Sequence, residues 1–146
     1  QQDVEQAAKE SAVHEDIKKF AAGYDTLVGE KGVSLSGGQK QRLSIARAVI
    51  NAPELLILDD ALSAVDAKTE EEILANMKQD RAHKTTIIAA HRLSSVMHAD
   101  EILVLENGQV IERGTHEQLI TKHGWYAEMW AKQEMEAAEE GESLGK

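Results

Sequence analysis

The chain has 146 residues, the size of one domain or of part of a larger one, and a formal net charge of −10. This acidic balance argues against a nucleic acid or an anionic membrane surface as its main partner. The chain has no cysteine, which excludes a disulfide framework, a thiolate nucleophile and a cysteine-ligated zinc site. Because it begins with Gln1 rather than methionine, we expect it to be a fragment of a longer protein.

Residues 1–51 are predicted to be mainly helical. Apolar residues recur at three to five residue spacing over residues 3–20, which predicts a helix with a break near Ser11. A loop with four glycines follows over residues 21–37. The next periodic segment, residues 38–50, predicts a longer amphipathic helix that ends before the only proline of the chain.

Residues 52–122 are predicted to form α/β structure. Leu55–Leu58 and Thr85–Ala89 are short runs rich in apolar and β-branched residues, which are typical of strands buried on both faces of a parallel sheet. Between them, residues 67–79 predict a helix with Asp66 as its N-cap. The order strand, helix, strand predicts half of an α/β sandwich, with the helical segment in front of it.

The last part of the chain predicts short elements followed by a C-terminal helix. They are a short helix over 93–97, a hairpin with strands 101–105 and 109–112 around an Asn-Gly turn, a capped helix over 115–121, and a helix from Gly124 into an acidic tail. Residues 123–146 are treated as one C-terminal segment. Four large side chains at helical spacing, Trp125, Tyr126, Met129 and Trp130, predict an anchor that packs this helix on the core.

The first candidate functional segment is Leu35–Gln39, which reads Leu-Ser-Gly-Gly-Gln at the start of a predicted helix. Its two glycines allow close backbone approach to a ligand, and the helix N-terminus directs N–H groups at the same place. A γ-phosphate is a natural ligand for this arrangement, with the Ser36 hydroxyl as a further donor. An equally good interpretation is structural, because Ser36 and Gln39 also have the spacing of a capping box.

The second candidate site lies at the ends of the two predicted strands. Asp59 and Asp60 follow the first strand, where α/β proteins place Mg²⁺ and catalytic groups, although Asp is also common in plain turns. We expect Asp59 to hold Mg²⁺ and Asp60 to position a water molecule. His91 follows the second strand and would emerge at the same sheet edge if the strands are parallel neighbours.

In combination, these segments closely resemble the nucleotide-binding domain of ABC transporters. Their sequence is nearest to that of multidrug-type bacterial exporters. Leu35–Gln39 matches the signature of that family, and Leu55–Asp59 resembles its Walker B strand. Ser63–Asp66 matches the D-loop, and His91 matches the switch histidine. Thr26–Gly32 resembles the loop that faces the membrane domains in exporters.

The resemblance implies ATP and Mg²⁺ as ligands of the intact parent protein. It implies that Asp59 binds the metal and that Asp60 and His91 act in hydrolysis. Leu35, Ser36, Gly37, Gly38, Gln39 and Asp66 would contact ATP held by a second nucleotide-binding domain, paired head to tail as a homodimer or heterodimer. Exporter transmembrane domains would be the other partners, at the cytoplasmic face of the membrane, and no nucleic acid is expected.

Two departures from the family pattern qualify these expectations. No segment matches the P-loop, and the aromatic residue and glutamine loop that precede the signature are also missing, so we expect only the second half of a P-loop NTPase domain. Asp60 stands where the family has its catalytic glutamate. A carboxylate withdrawn by about 1 Å can cost on the order of 10²-fold in rate, as in the weakly hydrolysing sites of heterodimeric relatives. Because the P-loop is absent, we expect this chain alone to be inactive.

Two other functions remain open from the sequence. A soluble ABC-type ATPase that acts in DNA repair or translation would carry the same motifs, although the acidic charge and the loop at Thr26–Gly32 favour an exporter. A non-enzymatic interaction module is the third reading, supported by the missing P-loop.

Overall fold

The computed structural model describes residues 2–143, and the chain divides after Ala90 into two compact units. This division differs from the three predicted segments, whose boundaries remain predictions. None of the described helices combines the length and the apolar character needed to span a bilayer. The helices are α1 (Gln2–Glu10), α2 (His14–Lys19), α3 (Gly37–Val49), α4 (Ala67–Asp80), α5 (His116–Thr121) and α6 (Trp125–Ser143), and the strands are β1 (Leu55–Asp59), β2 (Thr85–Ala89), β3 (Ile102–Glu106) and β4 (Gln109–Gly114).

The first unit is built on the two predicted strands, β1 and β2, which pair in parallel and so meet the condition under which His91 would follow the same sheet edge. Leu56 and Leu58 are buried on one face of β1, where they join a core cluster that includes Ile45 of α3 and Ile73 of α4. Both helix residues are at most 1% exposed. The parallel pairing places the carboxyl ends of the two strands side by side, because Asp59 is in register with Ala89.

The prediction that these strands are buried on both faces is wrong for this chain. Leu55 and Ile57 are 52% and 60% exposed, and Ile87, which pairs with Ile57, is 50% exposed. Alternate residues of a strand point to opposite faces, so the core cluster covers one face only. Strand β1 therefore has apolar side chains on both faces, and the face that carries Leu55 and Ile57 is about half exposed.

Arg81, just after α4, fastens this helix to both strands. Its side chain is buried, and its guanidinium donates to the carbonyl of Pro53 at 2.9 Å, to the carbonyl of Thr85 at 3.0 Å and to Oγ1 of Thr86 at 2.9 Å. The planar fork of arginine suits three acceptors that diverge in this way. The residue thus holds backbone carbonyl groups at or just before the start of both strands.

The predicted break in the N-terminal helix is confirmed. Helix α1 ends at Glu10, and Ala12 adopts a positive φ of 54° before α2 begins at His14. Ser11 is fully buried, and its N–H and its hydroxyl both donate to the carbonyl of Ala7, at 3.1 and 2.9 Å, so the buried hydroxyl has an acceptor at this helix end. The two short helices pack through a cluster formed by Ala8, Val13 and Ile17, with Tyr24 and Leu43 against it.

The second unit joins an antiparallel hairpin to α5 and α6. The Asn107-Gly108 turn has positive φ at both residues, which confirms the hairpin expected from this dipeptide. Tyr126 is fully buried, and its backbone N–H donates to the carboxylate of Glu112 at 2.9 Å, so β4 caps the start of α6. The predicted anchor is confirmed for Tyr126, Met129 and Trp130, whereas Trp125 is 44% exposed.

Candidate functional site

Ser36 begins helix α3 and is held by the predicted capping box. Its hydroxyl oxygen accepts from the N–H of Gln39 at 3.1 Å, and its own N–H donates to Oε1 of Gln39 at 3.0 Å. The structural interpretation of this segment is therefore confirmed. The N–H groups of Gly37 and Gly38 occupy the first turn, where helical N–H groups have no acceptor within the helix. They are free to bind a ligand, and the Ser36 O–H remains a donor.

A partly buried carboxylate on the neighbouring helix α2 holds this helix start in place. Asp16 of α2 accepts from Nε2 of Gln39 at 3.1 Å and from Nη1 of Arg42 at 2.6 Å. Burial by itself would raise the pKa of Asp16, but the hydrogen bonds from Gln39 and Arg42 and the charge of Arg42 outweigh it and lower that pKa. Sequence reasoning missed this network, because the two segments are separated by the whole glycine-rich loop and no local spacing indicates their contact.

The segment from Ala61 to Asp66 packs directly on the two glycines of α3. A Cβ atom at Gly38 would lie 2.8 Å from the carbonyl oxygen of Ala64, whereas one at Gly37 would meet the Ala64 side chain at an ordinary 3.5 Å. The glycine at position 38 is therefore required by close approach of another backbone segment of the same chain. The two motifs singled out in the sequence form one continuous surface.

Asp66 caps helix α4, as predicted. One carboxylate oxygen accepts from the N–H of Thr69 at 3.0 Å, and the other accepts from the Thr69 hydroxyl at 2.8 Å. The backbone and side-chain hydrogen bonds from Thr69 lower the pKa of Asp66. The carboxylate is exposed and ionised at neutral pH, so it can accept a further hydrogen bond from a partner molecule.

Asp59 and Asp60 lie at the carboxyl end of β1, and both side chains are exposed. Asp60 has a positive φ of 50°, which Asp tolerates better than most residues. Its N–H donates to the carbonyl of Ala89 at 2.8 Å, which fixes the turn against the end of β2. The structure thus brings two carboxylates to the sheet edge where the sequence placed them.

His91 begins the second compact unit, two residues beyond the end of β2, and is exposed. Its carbonyl accepts from Nε2 of Gln133 at 2.9 Å, and Oε1 of the same glutamine accepts from the N–H of Leu93 at 2.9 Å. Gln133 of α6 therefore holds the backbone on both sides of Arg92, and these two hydrogen bonds do not involve the imidazole of His91. The role of His91 in hydrolysis remains a prediction.

Asp59 fits the requirements of Mg²⁺ bound together with a nucleotide. Magnesium retains several water molecules and takes one or two carboxylates plus substrate phosphates, so an exposed carboxylate at a strand end suffices on the protein side. Among residues 2–143 there is no group of three or more His, Asp or Glu side chains that would hold a metal without such a partner. The metal-binding role of Asp59 remains a prediction.

The loop between the 3₁₀ turn at Gly23–Asp25 and α3 exposes apolar side chains. Leu27 is 79% exposed and Val28 is 54% exposed, at a narrow turn closed by a bridge from Val28 to Val33. A Cβ at Gly32 would overlap the carbonyl of Leu27, so this tight turn requires glycine. Neighbouring exposed apolar side chains at a loop tip are typical of a contact surface.

The ABC transporter family matches residues 1–63, the part of the chain that contains α1, α2 and the Leu-Ser-Gly-Gly-Gln start of α3. The chain is also 55% identical over 139 residues to a probable multidrug resistance ABC transporter ATP-binding/permease protein, YheI, of Bacillus subtilis. The chain is part of an ABC transporter nucleotide-binding domain. We therefore call Leu35–Gln39 the signature, Ser63–Asp66 the D-loop and Leu55–Asp59 the Walker B strand, as names for positions.

Other relatives agree with this family assignment. The chain is 53% identical over 138 residues to the multidrug resistance-like ATP-binding protein MdlA of Escherichia coli, and 48% identical over 141 residues to an ATM1-type heavy metal exporter of Novosphingobium aromaticivorans. These matches cover 94% and 97% of the chain. The chain spans about a quarter of the length of these relatives, 23% of each and 24% of YheI.

A solved structure extends the likeness to three dimensions. The ATP-bound structure of a bacterial Atm1-family ABC exporter superposes on the chain with a TM-score of 0.83 and 47% identity. The superposition covers 91% of this chain and 23% of the exporter chain. The α/β fold expected from the sequence is thus confirmed as part of an ABC transporter domain.

Proposed function

We propose that this chain is the part of an ABC exporter's ATPase domain that closes over a nucleotide bound by a second such domain. In this proposal, the parent protein couples ATP binding and hydrolysis to transport across a membrane. The P-loop of the partner domain binds the phosphates, and the signature of this chain completes the site from the opposite side. The identities to exporters, all near 50% over almost the whole chain, support this class.

The observation that carries the proposal is the continuous surface made by the signature and the D-loop. The first-turn N–H groups of Gly37 and Gly38, the Ser36 hydroxyl and the start of a 13-residue helix suit an anionic phosphate. Asp66 lies on the adjoining D-loop segment, where it is exposed and ionised. A surface with donors for a phosphate and a neighbouring carboxylate, but without a P-loop, fits a role in trans.

Asp59, Asp60 and His91 act on a different nucleotide, the one held by the P-loop of their own domain. Asp59 binds Mg²⁺, which neutralises phosphate charge when it is bound. Asp60 accepts a hydrogen bond from the attacking water, from a shorter side chain than glutamate, which makes this a slow site. His91 donates to a phosphate oxygen or orients the same water.

The parent has two further partners in this proposal. The exposed loop tip at Leu27 and Val28 contacts the transmembrane domains at the cytoplasmic face of the membrane, and closure of the two nucleotide-binding domains moves it. Closure by ATP is a shift in population toward the dimer that both surfaces stabilise. Asp60 favours a heterodimer, in which the second site would carry the faster turnover.

A chimera tests the proposal. The chain replaces the matching residues of YheI, and ATP turnover is measured in membranes for the chimera and for its Ser36→Ala variant. Loss of a preorganised donor to a charged transition state costs about 10²-fold, and we expect a loss of at least about tenfold here. Ser44→Ala on the same helix, which removes an exposed hydroxyl bonded to its own backbone, is the matched control and should retain turnover.

The soluble-ATPase alternative predicts a different result. A chimera that hydrolyses ATP at the same rate with and without its membrane domain would favour a soluble role. The exporter proposal predicts that Leu27→Ser lowers the amount of transport per ATP hydrolysed. An interaction module without catalysis would give a folded chimera that is inactive in every variant.

A further inference from the structure

We infer that Gln41 is a positioning residue that locks the signature helix to the D-loop, so that both close on the partner's nucleotide as one body. The inference rests on the proposed function and adds a residue that lies outside every motif named above. Gln41 is on α3, two positions beyond the signature, and its side chain points at the D-loop rather than at the signature itself.

The primary amide of Gln41 makes three contacts with one short segment. Its Oε1 accepts from the N–H of Ala64 at 2.7 Å. Its Nε2 donates to Oγ of Ser63 at 2.8 Å and to the carbonyl of Asp60 at 3.3 Å. The Ser63 hydroxyl in turn donates to the same carbonyl at 3.2 Å, so the amide closes a small network around the turn.

The exposed part of the D-loop is held to α3 by this amide. Leu62 and Val65, on either side of it, are 4% exposed and belong to the core cluster, whereas Ser63 and Ala64 are exposed and contribute no side chain to it. Ala64 also lies against Gly37 and Gly38, where a Cβ at Gly38 would be only 2.8 Å from the Ala64 carbonyl. The side-chain amide of Gln41 thus holds Ser63 and Ala64 at the short distance from α3 that glycine at position 38 permits.

This geometry has a functional consequence. The signature offers its donors from the start of α3, and Asp66 offers its carboxylate from the end of the D-loop. If the loop moved independently of the helix, each element would lose conformational entropy separately when the domains close. A rigid connection through Gln41 removes part of that cost before closure, which is how preorganisation increases binding.

The connection is tested first in the 146-residue chain, without nucleotide. Hydrogen exchange of the Ala64 amide, followed by NMR, should accelerate by about tenfold in Gln41→Ala, because its acceptor is lost while the core remains folded. Lys40→Ala, an exposed neighbour on the same helix, should leave the rate unchanged. Equal exchange of the Ala64 amide in Gln41→Ala and the parent chain would overturn the inference. Acceleration throughout the core would show a general stabilising role and would overturn it too.

The consequence is tested in the YheI chimera. Gln41→Ala should lower kcat by about tenfold and leave the KM for ATP within about twofold, because the P-loop that binds ATP is untouched. Combined with Asp66→Ala, the second change should cost little more, because both act on the same loop. Fully additive losses would overturn the inference.

The outcomes for the two proposals are distinguishable. If Ser36→Ala retains full turnover, the proposed function fails, whatever Gln41→Ala does. If Ser36→Ala loses turnover while Gln41→Ala retains it, the proposed function stands and the role of Gln41 is wrong. Gln41→Glu separates the two halves of the amide, since it keeps an acceptor for Ala64 and loses the donor to Ser63.

Discussion

Nη1 of Arg42 lies 2.6 Å from Oδ2 of Asp16, and this ion pair fastens the signature helix to α2. The side chains are 14% and 26% exposed, so solvent screens the pair only partly. Arg42 also donates to the carbonyl of Ala12 at the end of the preceding turn. The guanidinium of Arg42 therefore connects α3, α2 and the turn at Ala12, and Asp16 also accepts a hydrogen bond from Gln39.

Asp16→Asn should lower the free energy of unfolding of the chain by about 1–3 kcal/mol at neutral pH. The variant keeps the size of the side chain and removes the charge that faces Arg42. Urea denaturation followed by circular dichroism measures the change. Glu15→Gln on the same helix, an exposed carboxylate paired with Lys18, is the control and should change stability by less than about 0.5 kcal/mol.

The same pair predicts a pH dependence. The pKa of Asp16 is lower in the folded chain than its ordinary value, so the contribution is fully present above that ordinary value and is lost as the pH falls through the folded pKa. The difference in stability between the parent chain and Asp16→Asn should therefore be constant from about pH 7 to 5 and shrink below about pH 4. A difference that persists unchanged at pH 2.5 would contradict a charge effect.

Gly37→Ala and Gly38→Ala should have opposite effects on stability. Alanine favours a helix over glycine by up to about 1 kcal/mol, and at position 37 its Cβ makes only an ordinary contact with Ala64. At position 38 the Cβ meets the Ala64 carbonyl at 2.8 Å, and we expect a net loss of about 1–3 kcal/mol. Thermal unfolding of the two variants decides this, and equal melting temperatures would show that the D-loop is not held against α3.

Arg81→Met should destabilise the chain by about 1–3 kcal/mol, because it removes the part-buried hydrogen bonds to the carbonyls of Pro53 and Thr85. Arg81→Lys keeps the charge but cannot reach three diverging acceptors, and should lose about half as much. Lys78→Met, an exposed change on the same helix, controls for the loss of a positive charge. A similar loss for Lys78→Met would mean that charge, rather than these bonds, stabilises the unit.

Asp60→Glu should raise ATP turnover at its own site in the chimera, because the longer side chain reaches further toward the attacking water. The positive φ at this position favours Asp, so the same change should lower the stability of the chain by up to about 1 kcal/mol. Asp60→Asn keeps the length and loses the base, and it should lower turnover. An unchanged or lower rate for Asp60→Glu would identify Asp60 as a fully effective base.

Sequence reasoning found the elements whose causes are local. The capping box at Ser36, the N-cap at Asp66 and the Asn107-Gly108 hairpin depend on residues within a few positions of one another, and the structure confirms all three. The two strands β1 and β2 were also predicted, whereas their direct pairing was only a condition until the structure showed it.

Contacts between residues far apart in the chain, and the solvent exposure of strand side chains, could not be predicted from local sequence patterns. The bonds from Gln41 to Ala64 and from Arg42 to Asp16 span 23 and 26 residues, and no periodic pattern indicates them. The exposure of Ile57 was missed because an apolar strand has the same composition whether one face or both are covered. Asp59 lies in the first compact unit and His91 in the second, so the role of His91 stays a prediction from the sequence.

The central claim, that the signature of this chain serves the nucleotide of another domain, is tested most directly with mixed dimers of the YheI chimera. One change inactivates the P-loop lysine of the YheI part, the other is Ser36→Ala, and the dimers carry them either in one protomer or in separate protomers. The measurement is the amount of ATP retained per dimer after rapid filtration. Action in trans predicts that changes in separate protomers leave one intact site and retain ATP, whereas both changes in one protomer abolish retention. The reverse pattern would show that Ser36 serves the nucleotide of its own domain and would contradict the account.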